Sequence, residues 1–294
     1  MAVKTWKETS AGYLFTGPML LGVLVFTIIP LIAGLLLSLI DWNFVSGFDK
    51  MKFVGLNNFV RLFHDDTFIR SFKNNILLLI VVPATMLFSM LIAIVINKKV
   101  YFKDGFKVAY FMPYISSVVA VAAVWRVLMH PTYGPINQFF HSLGMDSPPK
   151  WLADPNYAML SVMIIMVWIQ IGYNLIIYIA ALQNIPKDLY EAADIDGANV
   201  WEQFRNITVP MLSPTTFFLL VTGVISSFKA FDLIAVLTQG GPANSTSVIV
   251  YYLYEAAFIN LKTGYASAMA VVLMLFVLLL TFLQWLGQKK WVNY

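Results

Sequence analysis

Two ionisable residues, Lys229 and Asp232, stand inside a long apolar stretch of this chain. Ionisable side chains in such stretches are costly, and by default they mark a functional path. Residues three apart lie on one face of a helix, so the lysine and the aspartate can neutralise each other there. The alternative is a structural ion pair that faces a partner subunit.

A second group of residues with side chains suited to binding a solute is the segment VWIQIGYN at 167–174. Trp168 and Tyr173 offer aromatic faces, while Gln170 and Asn174 offer amide donors and acceptors. Sugars present apolar C–H faces ringed by hydroxyl groups, so aromatic platforms beside amides are the chemistry expected of a sugar site. For aromatic residues in an apolar run, the alternative is packing against lipid or other helices.

Several other chemistries are excluded by what the sequence lacks. There is no cysteine, and the three histidines, at 64, 130 and 141, do not have zinc-ligand spacing. No GxxxxGK[ST] sequence occurs, so the chain cannot hold ATP phosphates in a P-loop. We therefore expect no metal site, no catalytic residue and no cofactor in this chain.

The composition indicates the solvent in which these residues act. Of the 294 residues 60% are hydrophobic and 12% are charged, against about 45–50% and about 25% in soluble domains. Six apolar stretches are long enough to cross a bilayer as helices, which are the elements that satisfy their own backbone in lipid. The sequence thus predicts an all-α, polytopic membrane protein with spans at about 13–39, 75–96, 106–130, 157–182, 214–238 and 266–286.

The lysines predict which loops are cytoplasmic. The segment 97–107 carries four lysines in eleven residues, and the two tails add Lys4, Lys7, Lys289 and Lys290. The positive-inside rule then places both termini and this loop in the cytoplasm, and it explains the net charge of +4 without nucleic acid. The segment 40–74 has five basic residues but is long and also has four acidic ones, so it carries less weight.

With six crossings the segment 183–213 also lies inside, although it is acidic. After Pro186, residues 187–194 are good helix formers, and Gly197 allows a turn with positive φ. A second helix is predicted to follow and to end at Pro210. Its apolar stripe consists of Val200, Phe204 and Ile207.

This segment resembles the EAA motif of ABC importer permeases. The match consists of Glu191, Ala192 and Ala193, then Gly197 after three residues, and then Ile207, Thr208, Val209 and Pro210 after nine more. The family has leucine where Val209 stands, which is a mild change. The resemblance implies the type I ABC importer permease fold, in which this loop is a coupling helix that docks on an ATP-binding subunit. The coupling residues it implies are Glu191, Ala192, Ala193, Asp196, Gly197, Ile207 and Pro210.

Further segments resemble the carbohydrate-type permeases of that family. They are GYLFTGPMLLGVLVFTIIP at 12–30, FVGLNNFVRLF at 53–63, MPY at 112–114, WLADP at 151–155 and GGPAN at 240–244. The resemblance implies a cytoplasmic tail at 1–12 and a single permease domain at 13–294. It also implies a second homologous permease, two ATP-binding subunits that bind ATP and magnesium, and an extracytoplasmic solute-binding protein.

The resemblance also bears on the solute path. Trp168, Gln170 and Tyr173 fall where the maltose permease contacts its sugar, and Tyr114 matches another such position. Ser227 matches a sugar-binding asparagine, and Gln170 replaces a glycine, so the sugar need not be the same. With Lys229 added, we expect the substrate path to be lined by Tyr114, Trp168, Gln170, Tyr173, Ser227 and Lys229.

The sequence therefore predicts a permease subunit of an ATP-driven importer in a bacterial or archaeal cytoplasmic membrane. Its expected solute is a sugar, a di- or oligosaccharide, and the alternative is a polyol phosphate such as glycerol-3-phosphate. A secondary transporter would leave the EAA loop unexplained and often shows internal repeats, which are not evident here. A membrane enzyme would have to rely on Lys229 with Asp232 alone.

Overall fold

The computed structural model describes residues 6–97 and 101–292, and the side chains from Tyr13 onward within those ranges. Nearly all of the regular structure in these residues is helical. The described strands are β1 (Ile40–Asp41) and β2 (Lys52–Phe53), which pair antiparallel with Ile40 opposite Phe53. The predicted all-α class is confirmed. Of the orienting lysines, Lys4, Lys98 and Lys99 lie outside the described residues.

The chain forms two compact units, and the first consists of residues 1–64 and 253–274. Helix α1 begins at Trp6, so a helix already occupies part of the predicted tail at 1–12. The elements of this unit before residue 64, besides the two strands, are α1 (Trp6–Val23), a π-turn (Leu24–Ile28), α2 (Ile29–Leu37), two 3₁₀ turns (Phe44–Ser46 and Phe48–Lys50) and α3 (Asn57–Leu62).

The second unit consists of residues 65–252 and 275–294. Its elements are α4 (Asp66–Leu78), α5 (Val81–Asn97), α6 (Lys103–Ile115), α7 (Val118–Leu128), α8 (Pro135–Ser142), a 3₁₀ turn (Trp151–Ala153), α9 (Pro155–Gln183), α10 (Lys187–Ile195), α11 (Val200–Gln203), a π-turn (Phe204–Thr208), α12 (Val209–Met211), α13 (Ser213–Phe228) and α14 (Asp232–Leu237). Two later segments contribute residues to both units: α15 (Ile249–Tyr254) with a π-turn (Glu255–Ile259), and α16 (Thr263–Gln288). The segment 239–265, which lies between the fifth and sixth predicted spans, thus contains a helix.

The predicted membrane spans correspond to helices of the described chain. Four are long and apolar enough to cross a membrane, at Tyr13–Leu37, Asp66–Asn97, Pro155–Gln183 and Thr263–Gln288. In two further places, a pair of consecutive helices separated by a bend is long and apolar enough when the two are taken together. The number of spans reaches six if each of these bent pairs counts as one span. The polytopic membrane fold is confirmed.

The third and fifth spans are not the single helices that the sequence predicts. The third bends by 98° between Ile115 and Val118, shortly after Pro113, which is more than a simple kink. The predicted fifth span at 214–238 is interrupted between Phe228, where α13 ends, and Asp232, where α14 begins. A bend of 60° also separates α13 from the segment Val200–Met211, which precedes the predicted span. The prediction that Lys229 and Asp232 share one helical face is therefore wrong.

Pro210 does not end the second helix of the acidic segment, contrary to the prediction from the sequence. It lies inside α12, directly after the π-turn Phe204–Thr208. Pro30 has the same placement after the π-turn Leu24–Ile28. A proline ring clashes with the carbonyl four residues earlier in a regular α-helix, and a π-turn moves that carbonyl away. The helix therefore continues through the proline.

The core of the second unit lies where α7, α9 and α14 meet. α14 packs against both of the other helices. The fully enclosed side chains here include Ile165 and Ile234, with Leu233 and Leu237 nearly so. The buried members of this cluster from these three helices are Val121, Ala122, Met159, Val162, Ile165, Met166, Leu233, Ile234 and Leu237. This packing fixes α14 even though the chain before it is not helical.

Helices α6 and α9 approach each other closely at Gly172. A Cβ atom at this glycine would overlap the backbone carbonyl oxygen of Tyr110 and would lie 2.8 Å from Cα of Phe111. Small residues let transmembrane helices come into backbone contact, and van der Waals packing then holds them together. Gly172 thus sets the separation of α6 from α9.

In the first unit, a buried amide holds the hairpin to the end of α2. Asn58 Nδ2 donates to the carbonyl oxygens of Ser38 and Ile40, each at 3.0 Å. Gly264 lies so close to Ile40 that a Cβ would overlap its carbonyl oxygen. The guanidinium of Arg61 lies over the ring of Tyr265, at 5.3 Å from its centroid.

The close approach at Gly172 leads to a prediction. Gly172→Ala should push α6 off α9 and lower the apparent Tm of the detergent-solubilised chain by several degrees, since overpacking costs ~1–3 kcal/mol. The matched control is Gly287→Ala, at a helical glycine with open space around it, which should keep or slightly raise Tm because alanine has the higher helix propensity. Equal Tm values for the two variants would contradict the close packing.

Candidate functional site

A cavity of about 150 Å³ opens in the second unit where the chain leaves α13 and enters α14. Its polar lining comes from Gln170 on α9, Ser226 on α13, and Lys229 and Asp232 at the break. Its apolar lining consists of Val118, Met166, Ile169, Ala230, Phe231 and Leu233. The structure therefore brings together Gln170 and Lys229, both of which are predicted from the sequence to lie on the substrate path.

Two backbone N–H groups at the break find acceptors a few residues earlier in the chain. Lys229 N donates to the carbonyl oxygen of Ser226 at 3.1 Å, and Phe231 N donates to that of Lys229 at 2.8 Å. Lys229 and Asp232 both line the cavity, but no ion pair joins these two described side chains. Neither of these two side chains is therefore neutralised by the other.

Ser227 is not at the cavity. It is buried, and its hydroxyl donates to the carbonyl oxygen of Val224 at 2.8 Å. Its neighbour Ser226 lines the cavity instead. The side chains of adjacent helical residues point about 100° apart. A family resemblance at Ser227 therefore does not decide whether Ser226 or Ser227 faces the solute.

The aromatic residues of the predicted path form two pairs beside α9. The rings of Tyr114 and Tyr173 stack at 5.1 Å between centroids and 25° between planes. Trp168 packs edge-to-face on Trp125, at 5.5 Å and 76°. Tyr114 and Trp168 are each about two-fifths exposed, at 43% and 42%, so both keep a free aromatic surface.

Trp125, Ser226 and Gly172 have roles here that are not predicted from the sequence. Gly172 lies within the GYN end of the segment 167–174, and a glycine among bulky residues is the signature of a close helix contact. Trp125 has no such signature in the sequence. It reaches α9 because the third span bends sharply.

The acidic segment folds as a short helix, a glycine turn and a second helix, as predicted. α10 ends at Ile195, and Gly197 has φ of 76°, which confirms the predicted positive φ. Asn199 and Glu202 form a capping box at the start of α11: Asn199 Oδ1 accepts from Glu202 N at 3.1 Å, and Asn199 N donates to Glu202 Oε2 at 2.7 Å.

Side-chain hydrogen bonds tie the two helices of this segment together. Gln203 Nε2 donates to Asp194 Oδ1 at 2.6 Å, across the glycine turn. The hydroxyls of Tyr190 and Thr208 lie 2.9 Å apart, and either can be the donor. Together with the capping box, these bonds make the segment a rigid unit.

Apolar side chains of the segment point outward. Ile195 is 87% exposed, Val200 69% and Trp201 65%. Glu191 and Ala192 are exposed as well, while Ala193 and Ile207 are partly covered. Exposed large apolar residues in a polar segment mark a protein contact surface.

The loop 238–247 is fixed to α4 by polar contacts. Arg70 Nη1 donates to the carbonyl oxygen of Ala243 at 2.6 Å, and Asn74 Nδ2 donates to that of Ser247 at 2.8 Å. The hydroxyl of Ser71 lies 2.9 Å from that of Ser247. The GGPAN sequence at 240–244 therefore belongs to an ordered loop.

Comparisons with known proteins agree with this architecture. The sequence profile described as "Binding-protein-dependent transport system inner membrane component" matches residues 59–291. A probable ABC transporter permease protein of Pyrococcus horikoshii is 36% identical and aligns over 92% of this chain and 94% of its own length. The lactose transport system permease protein of Rhizobium radiobacter is 34% identical and aligns over 95% of this chain and 94% of its own length.

A solved structure has the same fold. It is a bacterial ABC transporter involved in the import of the acidic polysaccharide alginate. One of its chains superposes with a TM-score of 0.82 at 24% sequence identity, covering 98% of this chain and 99% of that one. The two chains thus share one fold over nearly their whole length.

Proposed function

The chain belongs to the family of binding-protein-dependent transport system inner membrane components, and from that premise we propose that it imports a di- or oligosaccharide as the permease subunit of an ATP-driven transporter. The observation that carries the sugar assignment is the cavity at the break after α13, with Gln170 and Ser226 in its lining. The two aromatic pairs stand on the same helix, α9, as Gln170. A relative of similar length is a lactose transport system permease.

A second, homologous permease completes the path in this proposal. The cavity of about 150 Å³ is smaller than the ~300–1,000 Å³ of typical small-molecule sites. Tyr114 and Trp168 are partly exposed at the side of α9, where another subunit can supply the missing wall. A pair of homologous permeases with approximate two-fold symmetry gives such a wall.

Two ATP-binding subunits drive transport in this proposal, and they bind the ATP and magnesium. The coupling loop is the acidic segment, with Glu191, Ala192, Ala193, Asp196, Gly197, Ile207 and Pro210. Ile195, Val200 and Trp201 give this loop an apolar contact surface, and Glu191 can pair with a basic residue of the partner. This chain itself catalyses no reaction.

The orientation follows from the lysines of the 97–107 loop and of the tails, which place both termini in the cytoplasm. The loop 238–247 then faces outward, where a solute-binding protein delivers the sugar. Its hydrogen bonds to α4 hold its backbone in place for such a contact.

A second candidate solute is a polyol phosphate. One observation favours it, namely that Lys229 is among the residues that line the cavity. A phosphate accepts charge-assisted hydrogen bonds from lysine, which are about twice as strong as neutral ones. Asp232 in the same lining opposes a dianion, so we place the neutral sugar first.

We expect Gly197→Pro to uncouple transport from ATP hydrolysis. Proline cannot adopt the φ of 76°, and it removes the bond from Gly197 N to the carbonyl oxygen of Asp194. In proteoliposomes of the whole importer, uptake per ATP hydrolysed should fall at least about tenfold, within the usual range of coupling between two sites. Gly144→Pro is the matched control, since Gly144 has φ of 87° and its N–H bonds to the carbonyl oxygen of His141. Full coupled uptake by the Gly197→Pro importer would contradict the coupling role.

Trp168→Ala should weaken sugar uptake without loss of assembly, because it removes an aromatic face beside the path. KM for uptake should rise about tenfold, or ~1.4 kcal/mol, in a panel of mono-, di- and oligosaccharides delivered by the binding protein. Trp285→Ala is the control, because Trp285 is 50% exposed on α16 and is no part of the path. Unchanged uptake kinetics in the Trp168→Ala importer would contradict the proposal that Trp168 lines the substrate path.

Lys229→Gln separates the two candidate solutes. If the solute is a neutral sugar, glutamine still offers hydrogen bonds and KM should change less than about threefold, or ~0.7 kcal/mol. If it is a polyol phosphate, loss of the charged partner should raise KM at least about tenfold, consistent with ~1.5–3 kcal/mol for a hydrogen bond to a charged group. Lys262→Gln is the control, in the segment that follows α15.

A further inference from the structure

An apolar groove of about 290 Å³ lies between the end of α5 and the start of α6, apart from the candidate path. Its lining is almost entirely apolar and consists of Leu91, Ile92, Val95, Ile96, Phe106 and Tyr110. Val95 is 61% exposed, and Phe106 is 45% exposed. In a membrane protein such a surface faces hydrocarbon or another helix.

Two lysines lie on the face of α6 that also lines the groove. Lys103 and Lys107 lie on α6 at i and i+4, and Phe106 and Tyr110 follow at i+3 and i+7. These four positions share one face of a helix, so the ammonium groups stand on the face that carries the groove's aromatic wall. The positive charges of α6 and its aromatic groove residues thus lie on the same face of the helix.

We propose that this groove binds an anionic phospholipid, with an acyl chain along the apolar lining and the phosphate on Lys103 and Lys107. Charge complementarity selects this occupant. A helix of another subunit would cover the apolar wall but would leave Lys103, which forms no ion pair among the described residues, without a counter-charge. Basic residues at the membrane boundary between helices bind anionic lipid head groups.

Asp104 is part of the same surface and opposes the lipid. Lys107 Nζ donates to its carboxylate at 2.8 Å, and the Asp104 side chain is 79% exposed. The carboxylate competes with a phosphate for Lys107 and repels it. Lys103 is exposed, and no ion pair of this described side chain is observed. Lys103 is therefore the main head-group contact, and removing the charge of Asp104 should strengthen binding.

The test uses the purified full chain in detergent, titrated with phosphatidylglycerol or with phosphatidylcholine of the same acyl chains and followed by native mass spectrometry. We expect phosphatidylglycerol to bind more tightly than phosphatidylcholine. Lys103→Gln should weaken the binding of phosphatidylglycerol about fivefold, since a lysine near an anionic surface contributes ~1 kcal/mol. It should leave phosphatidylcholine unchanged, and Lys52→Gln should change neither.

Asp104→Asn should tighten phosphatidylglycerol by about twofold to fivefold, a change that a merely destabilised chain does not produce. Val95→Trp, which fills the groove, should weaken both lipids. Equal affinity for the two lipids, or no effect of Lys103→Gln and Asp104→Asn, would overturn the proposal. In the whole importer, loss of association between the Val95→Trp chain and another permease, with lipid retention unchanged, would overturn it as well, because a helix then occupies the groove.

Discussion

Hydrocarbon offers no hydrogen-bond partner to a backbone N–H or C=O, and every part of this structure inside a bilayer has to meet that constraint. The four long apolar helices meet it within themselves. Where the fifth span breaks, the N–H groups of Lys229 and Phe231 find carbonyls two or three residues back. Irregular backbone at membrane depth is tolerated only where it is enclosed by protein or lines a cavity. The break here does line a cavity, and that cavity is the candidate site.

Much of this architecture follows from the sequence because its causes are local. The apolar runs identify the spans, and Gly197 identifies the turn in the proposed coupling loop, since positive φ favours glycine. The break at 229–231 has no comparable local cause, because neither proline nor glycine interrupts the residues 226–233. It is held by the burial of Leu233 and Ile234 against other helices, which is visible only after folding.

The candidate site shows the same division. The aromatic and amide residues of α9 stand out in the sequence, because polar groups in an apolar run are few. The choice between Ser226 and Ser227 depends on the rotation of α13, and the aromatic partner of Trp168 depends on the bend that brings Trp125 to α9. Rotation and bend are set by tertiary packing, so the residue types were predictable and their neighbours were not.

The same bends give the proposed coupling a physical route through one continuous stretch of chain. The hydrogen bonds across the glycine turn join α10 to α11, so a push on α10 moves both together. The segment Val200–Met211 then meets α13 at a bend of 60°, and α13 leads directly to Lys229 in the cavity lining. A stiff loop transmits displacement, and a bend allows one helix to pivot on the next, as in hinged transitions. Binding of a partner at the loop can bias the cavity only if the two positions of this lever differ in affinity for both ligands, which is the thermodynamic requirement for coupling. The chain from α10 through the bend to the break is the connection along which such a bias would act.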